Sequence, residues 1–406
     1  MSREAHDQYQ YDFIIVGAGA AGLSLALQLV RSPLHDRSIL IVDKADQERN
    51  DRTWSFWTNR PTLFDEIACG SWDQLRWVEP SFEQVIDLQN YQYRMIRAID
   101  FSQFAREQLA AYPNVRFVKG RVNQIEDEPG VACVAIEGQT FHGRWVFDSR
   151  SKLMATERDP VHYHYLKMHF KAWEIETPAP AFEPQAVTFL DFRTPQPGAL
   201  CFFYVLPLSE RRALIEYTVF SRSVLKRREY EQALQAYVET TLGIRAYHLL
   251  GEEGGAVLIT DQPFPRRVGQ HILNIGVRGG RIKPSTGFAF TRIQQDSAAI
   301  VQSLLEHGQP FDLPADSRRY RLFDSMMLEI MQRHGDRVST IFGMMFKRNP
   351  IERVLRFLDE AGSFGENVRL ILTLGQKGFF LKVLLRVCFN SVARQLAMKH
   401  RTLSVR

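Results

Sequence analysis

The first apolar run of the chain, Phe13–Val16, is short and β-branched, and a glycine-rich turn and an apolar helical pattern follow it at once. The uncharged stretch 13–30 is long enough to span a membrane, but this order is typical of a buried parallel strand that leads into a helix. Further on, Val187–Phe192, Ala199–Leu208 and Arg212–Ser221 predict successive antiparallel strands. The pattern therefore predicts an α/β fold with an added antiparallel sheet.

The glycine-rich turn after the first strand has the spacing of a dinucleotide-binding loop. Its first glycine permits a tight turn, its second lets the backbone approach a pyrophosphate, and its third lets the helix pack closely on the strand. The next predicted strand, Ser38–Val42, ends at Asp43, 21 residues past the last glycine, where an acid can hold a ribose hydroxyl. We therefore predict cofactor contacts from Gly17, Ala18, Gly19, Ala20, Ala21, Gly22 and Asp43.

A second anion-facing turn is predicted late in the chain, where Ile272–Ile275 leads through Gly276 into a Pro-Ser-Thr-Gly loop and a helix from about Thr291. This order resembles the two-domain FAD proteins of the aromatic-hydroxylase type, in which the first motif binds the ADP half and the late motif contacts the rest of the flavin. The resemblance implies a Rossmann-like FAD-binding domain. It also implies further cofactor contacts at Val122, Asp148, Gly276, Pro284, Thr286 and Gly287.

The late motif departs from the hydroxylase pattern at one point. Those enzymes have Gly-Asp there, whereas this chain has Gly276-Val277-Arg278. The resemblance therefore favours a flavin but does not favour activation of oxygen.

One acidic residue, Glu216, interrupts the last of the predicted antiparallel strands. Because side chains alternate along a strand, one face is expected to carry Leu214, Glu216, Thr218 and Phe220, and the other Ala213, Ile215, Tyr217 and Val219. Both faces are mostly apolar, so the carboxyl is either buried or lines an apolar cavity. As a purely structural residue it needs a cationic or donor partner, for which Arg193 is the obvious candidate.

Beside the nucleotide motif, six further segments follow in order: Arg52–Phe56, Leu190–Arg193, Tyr204–Leu208, Leu214–Thr218, Gly280–Phe288 and Phe346–Asp359. They resemble the corresponding segments of the bacterial lycopene cyclases, and the resemblance runs from about Tyr11 to about Leu385. Two positions depart from the best-known branch of that family. Tyr217 stands where a second acid follows the glutamate, and Lys283 stands where histidine is frequent.

The resemblance implies cyclisation of the linear ends of lycopene to β-ionone rings, with reduced FAD, no net redox change and NAD(P)H as the indirect reductant. Glu216 is then the acid and base, because burial keeps a carboxyl protonated near neutral pH. Asp191 is either a second proton carrier or the ion-pair partner of Arg193. Four aromatic residues near Glu216 either line the substrate cavity or belong to the ordinary core of the sheet: Phe202, Phe203, Tyr204 and Phe220.

Two other functions remain open from the sequence. A flavin monooxygenase or reductase acting on a lipophilic isoprenoid consumes NAD(P)H stoichiometrically. A flavin-binding protein without catalysis leaves the polyene unchanged.

A metal site is not expected. The four cysteines, Cys69, Cys133, Cys201 and Cys388, are too widely spaced for a disulfide scaffold or a cysteine zinc site, and they suit a reducing compartment. Three histidines, His162, His164 and His169, lie in one alternating segment, but only the first two share a parity. We interpret them as hydrogen-bonded surface or core groups.

Basic charge is concentrated at one end of the chain. The segment from Asn367 onward carries eight basic and no acidic residues. Because the net charge of the whole chain is +5, the residues before this segment carry a net charge of −3. No nucleic-acid module accompanies this charge, and Phe379–Met398 reads as a basic amphipathic helix, with Lys382 and Arg386 on one face. Together with the polar leader Met1–Gln10, which lacks a signal-peptide pattern, this predicts a cytoplasmic protein that is peripheral on the inner face of the membrane. The alternative is a terminal helix that packs on its own protein.

These elements predict three regions. The FAD-binding domain is expected to be discontinuous, with a substrate-binding domain inserted in it and a helical, membrane-associating region after it. Their expected bounds are 1–60, 92–155 and 256–310 for the first, 61–91 and 156–255 for the second, and 311–406 for the third.

Overall fold

The structure is a computed structural model that describes residues 9–44, 50–150 and 158–404, with side chains of the final helix up to Ser391. Its contacts divide the chain into two compact units. The first unit comprises Met1–Asn50, Ile96–Glu157 and Pro263–Ala315. The second comprises Asp51–Met95, Arg158–Gln262 and Asp316–Arg406.

Strands and helices alternate early in the chain, strands dominate its middle and helices its end. The strands are β1 Tyr11–Val16, β2 Ile39–Asp43, β3 Thr53–Thr58, β4 Gly70–Trp72, β5 Gln74–Glu79, β6 Phe82–Asp87, β7 Gln92–Arg97, β8 Val115–Lys119, β9 Val122–Glu128, β10 Val131–Ile136, β11 Gln139–Asp148, β12 Tyr165–Glu176, β13 Ala186–Asp191, β14 Leu200–Pro207, β15 Arg212–Ser221, β16 His248–Thr260, β17 Arg267–Val268 and β18 Ile272–Asn274. The helices are α1 Ala20–Val30, α2 Ala98–Ala110, α3 Arg227–Ala236, α4 Phe290–His307, α5 Arg318–His334, α6 Val338–Arg348, α7 Ile351–Leu358, α8 Phe364–Thr373 and α9 Lys377–Ser404.

The first unit is built on a largely parallel sheet in the order β17-β18-β11-β1-β2-β8, in which β10 also pairs with β11 and β9 pairs with β10. The predicted strand at Phe13–Val16 is confirmed, and it pairs in parallel with β2 and β11 on either side. Ile14 and Leu40 are fully buried in its core. The apolar run is therefore an interior strand, as its β-branched composition predicted.

The second unit contains a sheet in the order β16-β12-β15-β14-β13-β5-β6, and the three antiparallel strands predicted from alternation are confirmed as β13, β14 and β15. One face of this sheet packs against α3 and a short π-helical turn, Tyr237–Thr241. Ala213, Ile215, Tyr217 and Val219 all lie in that packed face. The predicted parity of β15 is therefore correct.

The division into units differs from the three predicted regions. The C-terminal helices belong to the second unit, because α5 contacts β12 and β15 and its Glu329 hydrogen-bonds His164. Residues 51–60 also belong there, since β3 joins β7 and β4 in a small sheet. Among the described residues, no helix combines the length and apolarity needed to cross a membrane.

The three histidines do not share a strand, because β12 begins only at Tyr165. His162 closes a turn, with its Nδ1 2.7 Å from Asp159. His169 is fully buried, with its Nε2 2.8 Å from the Ser221 hydroxyl. Each therefore has a hydrogen-bonded role, and the described residues include no cluster of metal-ligating side chains.

His164 joins β12 to α5 through buried charges. Its Nδ1 lies 3.0 Å from Asp261 and its Nε2 lies 3.0 Å from Glu329. Glu329 also accepts a hydrogen bond from Arg386 of α9, at 3.1 Å. Burial alone lowers the pKa of His164, but the two carboxylates outweigh it and raise the pKa to about 9. This cluster ties the C-terminal helices to the sheet.

This geometry predicts a specific pH dependence of stability. A folded-state pKa above the unfolded value gives stability that is complete below about pH 6.5 and is lost as the pH rises through about 9. Relative to His164→Gln, the free energy of unfolding of the wild type should therefore fall by an amount on the order of 3 kcal/mol across this window. Urea unfolding of both proteins at several pH values measures the difference. Parallel pH curves for the two proteins contradict the prediction.

Candidate active site

Glu216 lies at the centre of the second unit's sheet. It is in register with Ala172 of β12 on one side and with Tyr204 of β14 on the other. Its side chain faces away from the surface packed by α3. Most residues of β14 and β15 are buried, but Tyr204 and Glu216 are only partly buried. The otherwise buried face is therefore accessible at this pair.

The Glu216 carboxyl is in an environment that favours its protonated form. Burial is the largest cause, and it raises the pKa to about 7. The Thr218 hydroxyl, which donates to Glu216 Oε1 at 2.6 Å, opposes this increase, and the charge of Glu253 adds to it. Arg193 is not its partner, so the structural interpretation based on that pair does not hold. The result is an acid that is partly protonated at neutral pH.

Aromatic side chains surround this position on the same face of the sheet. Tyr204 packs edge-on against Phe202 and Phe189, with ring centroids 5.2 and 5.7 Å away. Phe189 in turn contacts Tyr93, at 5.5 Å. We call this surface the aromatic face, and it comprises Trp57, Trp77, Tyr93, Phe189, Phe192, Phe202, Tyr204, Phe220 and Phe346.

Two of the aromatic groups are anchored by polar bonds. The indole of Trp57 donates to Asp359 at 2.6 Å, and that of Trp77 donates to Glu79 at 3.2 Å. Phe203, a candidate for the cavity lining, lies on the opposite face, where its ring stacks on Tyr237 at 3.8 Å. The other three candidates do belong to the aromatic face.

Asp191 lies on the opposite face of the sheet from Glu216. Its carboxylate accepts hydrogen bonds from Arg193 Nη2 and from the Tyr237 hydroxyl, both at 2.6 Å. A bulge in β13 between Thr188 and Asp191 changes the parity, so Phe189 reaches the aromatic face and Asp191 the other. This geometry supports the ion-pair interpretation of Asp191 over that of a second proton carrier.

Sequence reasoning missed several groups that surround Glu216. Tyr93 of β7 is hydrogen-bonded to Ser55, and its phenol faces Glu216 closely enough to interact with its charge. Glu253 of β16 accepts a hydrogen bond from Thr53 at 2.7 Å. Only a family resemblance marks the Thr-Trp-Ser segment in the sequence, and the polar, glycine-rich sequence of β16 around its two adjacent glutamates does not mark Glu253.

The nucleotide loop of the first unit has the predicted local geometry. Gly17 adopts a positive φ of 101°, and a Cβ on Gly22 would lie 1.9 Å from the Gly17 carbonyl oxygen. A Cβ on Gly19, by contrast, would meet no protein atom within 4 Å, so this glycine leaves space beside the start of α1. Asp43 accepts a hydrogen bond from the Ala18 amide at 2.6 Å. This cradle fits a pyrophosphate at the N-terminus of a helix.

The late turn lies against the same loop. Gly276 has a φ of 60°, and a Cβ there would lie 2.7 Å from the Cβ of Ala21. Asp148 is buried and pairs with Arg150 Nη2 and Arg278 Nε, at 2.9 and 3.0 Å. Val277 stands where the hydroxylase motif has its acid, and the next residue, Arg278, holds the turn to the end of β11.

The remaining predicted contacts lie in the same unit. Val122 accepts a hydrogen bond from Arg150 Nη1 through its carbonyl, at 3.2 Å. The loop with Pro284, Thr286 and Gly287 is closed by the Gly287 amide, which donates to the Lys283 carbonyl at 2.8 Å. Ala20 begins α1 directly after the glycine turn.

Solved structures define the class of the fold, which is that of FAD-dependent flavoproteins. A geranylgeranyl bacteriochlorophyll reductase-like protein from Thermoplasma acidophilum has a TM-score of 0.58 at 13% identity, over 93% of this chain and 99% of that one. The halogenase PltM, solved with phloroglucinol and FAD, has a TM-score of 0.56 at 12% identity, over 96% and 93% of the two chains. The predicted fold class is confirmed.

The sequence comparisons identify the family within this fold class. The family model for lycopene cyclase proteins matches residues 12–381, so the chain belongs to the lycopene cyclase family. The lycopene beta-cyclase of Pantoea ananas is 28% identical over 70% of this chain and 72% of its own length. Neoxanthin synthase of Solanum lycopersicum is 22% identical over 73% of this chain, and the match spans 61% of that plant protein.

Proposed function

We propose that this protein is a lycopene β-cyclase that converts the linear ends of lycopene to β-ionone rings, giving γ- and β-carotene. The observation that carries the proposal is the Glu216 carboxyl, whose burial raises its pKa to about 7 on an aromatic sheet face. Membership of the family supports the substrate class. The reaction is an isomerisation, an intramolecular lyase step without net oxidation.

Glu216 acts as both acid and base in this proposal. Its carboxyl proton is transferred to the terminal alkene, and the resulting carbocation is attacked by the internal double bond, which closes the six-membered ring. The carboxylate then takes a proton from the ring, so that a new double bond forms and the acid is regenerated. No atom or electron is gained overall.

The groups around the carboxyl suit a carbocation. Aromatic rings offer their electron-rich faces to a cation without forming a bond to it. Burial raises the pKa of both Tyr93 and Tyr204, so their hydroxyls remain neutral and do not trap the cation as phenolates. Trp57 and Trp77 are held in place by the carboxylates of Asp359 and Glu79.

FAD is the cofactor that the first unit fits. The space at Gly19 and the turn at Gly17 would hold the pyrophosphate, Asp43 would hold the adenosine ribose, and the loop around Thr286 would contact the flavin half. Reduced FAD, when bound, supplies fixed negative charge that stabilises a cation. NAD(P)H is the expected source of its electrons.

Replacement of Glu216 tests the proposed reaction. In lycopene-accumulating cells, the wild type should produce cyclic carotenes, whereas Glu216→Gln should reduce ring formation by at least about 100-fold. The amide retains the shape but has no acidic proton, so purified Glu216→Gln should still bind FAD. Chromatography of the pigments and the flavin content measure both effects.

Glu210→Gln, in the exposed turn between β14 and β15, is the matched control and should cyclise normally. Full turnover by Glu216→Gln would move the acid elsewhere, with Asp191 tested next. Stoichiometric NAD(P)H consumption with oxidised or reduced products would instead show the redox alternative, and unchanged lycopene with the wild type would contradict cyclisation.

We further propose that the second unit binds the inner face of the membrane from the cytoplasm, where the four free cysteines remain reduced. α9 buries Val383 and Val387, and its other side exposes Leu381, Leu385 and Phe389. α8 likewise exposes Phe364, Val368 and Leu372 at four-residue spacing. Two apolar stripes beside basic residues suit an anionic lipid surface. One of those basic residues, Arg386, is also bound to Glu329.

Removal of apolar side chains from α9 tests this surface. Leu385 and Phe389 are 61% and 75% exposed, so Leu385→Ser/Phe389→Ser should leave the fold intact. Binding to phosphatidylglycerol-containing vesicles should weaken by at least about tenfold, because two side chains lose their apolar contact with lipid. Co-sedimentation measures the binding. Val85→Ser, an exposed apolar residue of β6, is the control, and equal binding by all three proteins contradicts the proposal.

A further inference from the structure

A second carboxylate lies on the same side of the sheet as Glu216. Glu253 of β16 is in register with Ala172 of β12, and Ala172 is in register with Glu216 of β15. The two acids thus flank a fully buried alanine, whose small side chain leaves space between them. The register of three strands therefore places both carboxyls on one face.

The neighbouring glutamate shows that this orientation is specific. Glu252 faces the other side of β16, where it pairs with Lys171 at 2.7 Å and with Arg227 at 3.1 Å. Glu253 is only 9% exposed, and the Thr53 hydroxyl donates to its Oε1 at 2.7 Å. The charge of Arg52 also interacts with Glu253. A cation and a hydroxyl donor both stabilise the ionised form of a carboxylate.

The polar groups facing Glu216 come from four strands. Its own strand contributes Thr218, β14 contributes Tyr204, β7 contributes Tyr93, and β16 contributes Glu253. Three of these are uncharged hydroxyls, because burial raises the pKa of both tyrosines. Glu253 is therefore the charged group in this set, and its charge has the sign that opposes ionisation of Glu216.

We propose that Glu253 is a positioning residue that adds to the effect of burial and favours the protonated, reactive form of Glu216, through a negative charge held across Ala172 by Thr53. This inference rests on the proposed acid role of Glu216. Tyr217, by contrast, lies on the opposite face of the sheet and stacks there on Phe203. The second carboxylate of this site comes from β16 instead.

The experiment compares the full-length, FAD-loaded wild type with Glu253→Gln, Glu253→Asp and the control Glu252→Gln. The infrared carboxyl band that is missing from Glu216→Gln identifies protonated Glu216, and its intensity is followed against pH. In Glu253→Gln, the midpoint of this titration should fall by about one pH unit. Glu253→Asp keeps the negative charge, so its midpoint should lie close to that of the wild type. Glu252→Gln should leave the midpoint unchanged.

The same proteins are assayed for lycopene cyclisation across pH. If the midpoint falls from about 7 to about 6, Glu253→Gln should lose roughly eightfold in rate at pH 7.5 and less than twofold at pH 5.5. A loss that is equal at both pH values, with an unshifted carboxyl band, would overturn the proposal and indicate a merely structural role. A shifted band in a protein that never cyclises lycopene leaves the pairing intact and rejects the proposed function alone.

Discussion

The structure depends on one unfavourable interaction, the burial of the Glu216 carboxyl among aromatic side chains. Burial in an apolar face disfavours the charged form of an acid and raises its pKa to about 7. The Thr218 hydroxyl opposes this increase, and a cation beside the carboxyl would lower the pKa further and leave the group ionised, with no proton to donate. The site therefore needs an acid that lacks an ion-pair partner at its own carboxyl, in contrast to Asp191, which binds both Arg193 and Tyr237.

Sheet parity keeps these two acids apart. β15 follows regular alternation, so Glu216 shares a face with Thr218, while the bulge in β13 places Asp191 on the opposite face, where it contacts Tyr237 of the π-helical turn. A bulge adds one residue to one strand only, so each side chain beyond it in that strand lies on the other face from the one that regular alternation would give. Here it also supplies Phe189 to the aromatic face. This bulge therefore places Phe189 on the face of Glu216 and Asp191 on the face that α3 packs.

Local patterns predicted the parts of the protein that depend on nearby residues. The turn at Gly17 requires a positive φ, and the alternation of β15 places Glu216, so both were accessible from the sequence. The face on which Asp191 lies could not be predicted from the sequence, because an apolar run looks the same with and without a bulge. Glu253 was missed because β16 is polar and glycine-rich, and its neighbourhood with Glu216 arises only from the pairing of three strands. The attachment of α5 likewise depends on the long-range contact of Glu329 with His164.

The central claim is that a protein-held proton is delivered to a carbon atom of the substrate. The most direct measurement is mass spectrometry of the carotenes formed from lycopene by the FAD-loaded protein in deuterium oxide. Because the Glu216 proton exchanges with solvent between turnovers, we expect one deuteron in each ring that is formed and none in recovered lycopene. Rings without deuterium would contradict the account, since they would show that ring closure does not begin with this acid.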